Sequence, residues 1–158
     1  MSRFRFRIVA GLVGVACLFA PFVQSQPAAN KAKPMLEPVA ETKLLMEGLA
    51  ASNMRGLGKL LREKPADAEA WGFARGQALL LAETGNLLLM RPPRTAAGQD
   101  AWLTHSADLR EAAGNVARAA AAKDYAKSRT ALASVANACN RCHQVFRVPA
   151  RIDPFAEE

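Results

Sequence analysis

Near the carboxyl end of the chain stands "CNRCHQVFR", with Cys139 and Cys142 three positions apart and His143 directly after the second cysteine. On a helix, positions i, i+3 and i+4 share one face, so one cofactor could meet all three side chains. A structural zinc site takes four ligands. The motif offers three, and the only other histidine, His105, is distant in sequence. A redox dithiol gains from a helix N-terminus, where the dipole stabilises a thiolate, whereas this pair falls near the end of a helical pattern. A disulfide between side chains one helical turn apart has poor geometry. Covalent haem attachment uses every residue: Cys139 and Cys142 form thioethers to the two vinyl groups, and His143 turns a ring nitrogen toward the iron.

The compartment implied by the amino end suits that chemistry. Arg3, Arg5 and Arg7 precede the apolar run "IVAGLVGVACLFAPFV", and Val23-Gln24-Ser25 offers a cleavage site, so residues 1–25 read as a signal peptide cut after Ser25. Two other readings stay open: an uncleaved anchor, although the run is shorter than the ~20 residues a spanning helix needs, and a lipoprotein signal at Cys17. Export puts the mature chain in a periplasmic, oxidising setting with Cys139 and Cys142 as its only cysteines. Losing three arginines and no acid lowers the formal charge from +7 to +4. The remaining cations are spaced among alanines and leucines like solvated helix faces, which argues against nucleic-acid binding.

Between the leader and the motif, residues 26–34, "QPAANKAKP", read as a flexible tether. Beyond them alanine, leucine, glutamate, lysine and arginine recur with helical period, and no strand pattern is seen. Breakers divide the stretch into helices over about 35–63, ending before Pro65; about 66–90, ending at "RPPR"; about 99–122, following "TAAG"; and about 123 or 124 to before Pro149. The expected fold is all-α, an antiparallel up-down-up-down four-helix bundle over residues 35–148, followed by a C-terminal tail at 149–158. Trp102, Ser106, Leu109, Ala113, Val116 and Ala120 form the core stripe of the third helix. Leu132, Val135, Ala136, Cys139, Cys142, His143 and Phe146 form that of the fourth, so the motif belongs to the core-facing stripe.

A C-x-x-C-H-x-x-[YF]-R motif closing the last of four helices resembles the class II c-type cytochromes, the cytochrome c′ and cytochrome c-556 family. The likeness covers about residues 38–148. It is supported by "TKLLM", "NMRGLG" and "KP" in the first helix, by "AW" at Trp102 and by "AKDY" before the fourth. Matching both "LLM" and "NM" to the family pattern takes a one-residue shift between them. The resemblance implies a periplasmic four-helix bundle with one covalently bound haem c, often a homodimer. Cys139 and Cys142 match its thioether cysteines, His143 its proximal iron ligand, and Arg147 the arginine near the haem propionates. Arg147 also suits a helix C-terminus by its charge alone.

Family members differ on the other side of the iron. In those similar to c-556 a first-helix methionine ligates; in c′ proteins the position is open. At ~100° per residue, Val39, Met46, Ala50, Asn53, Leu57 and Leu60 share a face with Met46 near its centre, and Met54 falls ~80° away, toward the edge. In an antiparallel bundle the start of the first helix lies beside the end of the fourth, which favours Met46 as the second ligand. A histidine and methionine pair gives a low-spin iron suited to passing one electron. The expectation is therefore a one-electron carrier meeting an unidentified redox partner protein. The alternative is a c′-like protein binding nitric oxide or carbon monoxide, and a haem-free bundle is the third reading.

No constellation for catalysis is evident, and no stable membrane insertion is expected once the leader is removed. His105 reads as a half-exposed surface histidine, and Trp71 and Trp102 read as packing. Lys59, Arg62 and Lys64 read as a solvated face that could also dock an acidic partner.

Overall fold

A computed structural model describes residues 35–156; the expected signal peptide and tether fall outside them. Met35 onward belongs to one compact unit. Among the described residues every regular element is helical, and no helix is long and apolar enough to cross a membrane.

Four rods make up the unit, as expected from the breakers. The first is built from α1 (Thr42–Leu45), a π-helical segment (Met46–Ala51) and α2 (Ser52–Arg62). It starts later than the expected residue 35. Pro38 biases Glu37 away from the helical region, and Met35, Leu36 and Val39 stand 82%, 82% and 98% exposed on a non-helical lead-in. The rod α3 (Ala68–Leu89) opens on Asp67, whose carboxylate accepts the Ala70 N–H at 2.8 Å, a capping bond for an otherwise unpaired donor. Pro92 and Pro93 prevent its continuation. The rod α4 (Gln99–Ala121) follows Gly98, whose φ of 92° calls for glycine. Three residues then lead to α5 (Tyr125–Val145), capped by Asp124, whose side chain accepts the Lys127 N–H at 3.0 Å.

The α4 and α5 rods run antiparallel: the Trp102 ring meets Phe146 edge-on at 5.2 Å, and further along Asp108 lies 3.8 Å from Arg141. The α3 and α4 rods are antiparallel too, with the Trp102 indole N–H donating to the Leu88 carbonyl at 2.7 Å and Arg110 donating to Asn86 at 3.1 Å. Their backbones approach so closely that a Cβ on Gly85 would sit 2.8 Å from the Arg110 nitrogen. The packing is that of a four-helix bundle.

Much of each expected core stripe is buried, whereas Trp102 and the carboxyl-end members Cys139, Cys142, His143 and Phe146 are only partly so. Ser106, Leu109, Ala113, Val116 and Ala120 are buried on α4, and Leu132, Val135 and Ala136 on α5. With Leu57, Leu61, Ala74, Ala78 and Leu81 they close the core. Each such leucine contributes about 1.5–3 kcal/mol by leaving water. Thr84, Ser106 and Ser128 are buried as well, and each hydroxyl donates to the carbonyl four residues earlier, so none is left unpaired.

The π segment changes the face of the first rod. Leu45 and Met54 are nine positions apart, which at ~100° per residue would set them on opposite sides of a continuous α-helix. Both are 6% exposed. The wider π turn absorbs about one extra residue and resets the phase. The buried face of α2 is accordingly Asn53, Met54, Leu57, Gly58 and Leu61. Met54, expected toward the edge, is core, and Val39 lies off the rod altogether.

Candidate haem-attachment site

Cys139, Cys142 and His143 occupy the last two turns of α5, each partly buried, and both cysteines are free thiols. Burial pushes the Cys139 thiol up to about 11, with the nearby Cys142 adding to it, and burial raises Cys142 in the same direction. A catalytic dithiol needs the opposite shift. Among the described residues no three His, Cys, Asp or Glu side chains converge as a metal-ion site. The raised thiols give no support to a redox pair, and no further ligand of those types stands beside the motif among the described residues. Two neutral thiols on one helical face beside an imidazole remain.

The imidazole is held. His143 Nδ1 lies 2.8 Å from the Ala150 carbonyl. A carbonyl only accepts, so the proton is on Nδ1, and the Nε2 lone pair is left for a ligand. Metal-ligating histidines are commonly fixed in this way through their second nitrogen. Ala150 reaches the ring because α5 stops sharply. Arg147 adopts φ 55°, the Val148 N–H bonds the His143 carbonyl at 2.8 Å, and the Arg147 N–H bonds that of Gln144 at 3.3 Å. This paired closure turns the chain back along the helix it has just left. Beside His143 lies a polar hollow of about 610 Å³, lined by Asn137, Asn140, Arg141, Gln144 and Arg151 among others. The cysteines are not part of its lining.

Met46 lies on the π segment, partly buried, and borders the same core as Cys139. The start of the first rod is tied to the end of α3 by Arg91, which donates from Nε to the Ala40 carbonyl at 3.1 Å and from Nη1 to the Leu87 carbonyl at 2.6 Å. The contact between the first rod and α5 is small and runs through α2, at the far end from the motif; neither α1 nor the π segment packs against α5 to that extent, so the structure does not bring Met46 onto the motif as the antiparallel register led one to expect. At that far end the Tyr125 hydroxyl donates to the Arg62 carbonyl at 3.0 Å. Arg147 is exposed on the turn that closes α5.

No family model, curated protein or solved structure matches this chain.

Beyond the corrections to the first rod, the structure revises the reading of His105 and reveals residues the sequence reading passed over. The His105 side chain is 15% exposed rather than half-exposed, because α5 packs along α4 there; its Nδ1 is buried without a hydrogen bond, 3.9 Å from Asp108. Asn140, between the two cysteines, exchanges two hydrogen bonds of 2.8 Å with the backbone of Ile152. Apolar Ile152 and Phe155 after a proline-marked helix end were the available signal. Arg62, assigned to a solvated face, donates to the Ala156 carbonyl at 3.0 Å.

Proposed function

We propose that this protein is a periplasmic c-type cytochrome of the class II kind that carries single electrons on one covalently bound haem. The observation that carries the reading is the oriented His143 imidazole, with Nδ1–H given to Ala150 and Nε2 left over, one step from two neutral thiols on the same helix. The donor set fits the group: Cys139 and Cys142 would hold haem through thioethers, and His143 would ligate its iron. Met46 would be a second protein ligand, and Arg147 would pair with the propionates. Bound haem would supply an iron that changes oxidation state by one electron.

The chain's own contribution is placement. The raised thiols stay protonated and apolar at neutral pH, so they rest in the bundle without disturbing it. The Ala150 carbonyl fixes the tautomer of His143, and the π segment sets the phase of Met46 against α2. With haem bound, Met46 and His143 would both hold its iron, which would suit one-electron chemistry.

The optical spectrum of the haem-matured protein, oxidised and reduced, with and without carbon monoxide, tests this. A weak red methionine-to-iron band is expected, with a reduced spectrum that carbon monoxide barely changes; Met46→Ala abolishes the band. A high-spin spectrum converted readily by carbon monoxide would move the protein to the gas-binding reading. Absence of a haem stain after denaturing electrophoresis would remove both.

A further inference from the structure

The segment after α5 is too well anchored to be a loose tail. From Ala150, which holds His143, it runs back along α5. Ile152 exchanges its two bonds with Asn140, and the Pro154 carbonyl lies so close on α2 that a Cβ at Gly58 would collide with it. Phe155 lies under the Arg129 guanidinium at 4.0 Å, and Ala156 accepts from Arg62. From His143 to Arg129 the helix rises ~21 Å at ~1.5 Å per residue. The five steps from Ala150 to Phe155 span at most ~18 Å and include a turn at Pro154 and Phe155, the long Arg129 side chain covering the remainder; it is the row of anchors at Ile152, Pro154, Phe155 and Ala156 that leaves the Ala150 carbonyl little room to wander.

Resting on the haem reading above, we propose that residues 148–156 form a strap that fixes the orientation and tautomer of the proximal His143, with Asn140 as its positioning residue. Asn140 stands inside the attachment motif itself. Its amide accepts the Ile152 N–H and donates to the Ile152 carbonyl, which sets the strap in register two residues from Ala150. The carbonyl that takes the Nδ1 proton makes Nε2 a stronger donor. With haem bound, a stronger donor would favour the oxidised iron, so the strap would lower the potential of the site.

The test uses the full haem-matured chain with its two histidines labelled with heavy nitrogen. Solvent exchange of the His143 Nδ1 proton and the reduction potential are measured for wild type, Asn140→Ala, Asn140→Asp and Phe155→Ala. Asn140→Ala should speed the exchange at least tenfold and raise the potential. Asn140→Asp keeps an acceptor for the Ile152 N–H and should lie between it and wild type. Phe155→Ala removes the far anchor without touching the motif, and should move both readouts the same way by less; it decides the matter if Asn140→Ala lowers helicity. His105 serves as the unaffected reference.

Unchanged exchange and unchanged potential in Asn140→Ala and Phe155→Ala, with helicity retained, would overturn the proposal. A chain that carries no covalent haem would instead overturn the functional reading, and proton exchange at His143 in that same chain would still judge the strap.

Discussion

At Lys123 and at Arg147 the backbone makes the same closure. Each residue is a cation with φ near +55°, each is followed by an amide that bonds the carbonyl five residues back, and each bonds the carbonyl three residues back. After Lys123 comes Asp124, whose carboxylate caps the next helix at once. After Arg147 come Val148 and Pro149, and with no cap the chain starts no new helix and returns along α5 as the strap. The closure stops a helix but does not set the path of the chain beyond it; the next two residues do. One closure therefore makes a tight turn within the bundle, and the other places a carbonyl on His143.

The largest separation between the two regions should come from Gly58→Ala. Its Cβ would collide with the Pro154 carbonyl, and overpacking of this kind costs about 1–3 kcal/mol. Urea unfolding should show the loss, and hydrogen exchange should show where it falls: the Ile152 amide loses protection while the Asp124 and Ser128 amides keep theirs. Wild-type protection at Ile152 would mean that the strap is not seated on α2.

Asp124→Ala breaks the other region. Its carboxyl is held below the usual carboxylate range, first by the Lys127 backbone N–H and then by the Lys127 side chain. A group whose value is depressed on folding stabilises the fold above its unfolded value, and that stability is lost as pH falls through the folded one. The variant should therefore lie below wild type at neutral pH by less than Gly58→Ala does, and the gap should close in acid. Thermal unfolding across the acid range checks this, and Asp124→Asn, which keeps the acceptor, should lie closer to wild type at neutral pH.

Sequence patterns reached the first of these regions and missed much of the second, for physical reasons. Regular helices repeat side chains every 3.6 residues, so the buried parts of the α4 and α5 stripes and the place of Cys139, Cys142 and His143 at the end of the last helix could be read directly. The opening of the fourth helix at 123 or 124 was legible for the same reason, though the capping role of Asp124 was not. The π segment carries no pattern of its own. It reveals itself only as a phase error, here the one-residue shift between "LLM" and "NM", and reading that stretch at a constant ~100° put Met54 at the edge. The strap has neither helical period nor strand alternation, and its anchors are bonds between an asparagine and backbone groups of Ile152, which composition does not register. His105 was misjudged because a residue beside the stripe is buried or exposed according to how closely the neighbouring helix lies.

The smallest effects should come from a matched pair, Lys123→Gly and Arg147→Gly. A left-handed residue with a Cβ costs roughly 1–2 kcal/mol, and part of the relief is returned through the greater backbone freedom of unfolded glycine. Each substitution should therefore stabilise the cofactor-free chain, by up to about 1 kcal/mol and to a similar extent, since the two closures are alike. After haem maturation the pair should part. Lys123→Gly keeps its gain, because Lys123 has no role beyond the turn, whereas Arg147→Gly gives up part of its own with the loss of the guanidinium assigned to the propionates. Equal gains in both forms, measured by urea unfolding, would reduce Arg147 to a helix-end cation and leave the closure's backbone, rather than its side chain, as what this end of the bundle requires.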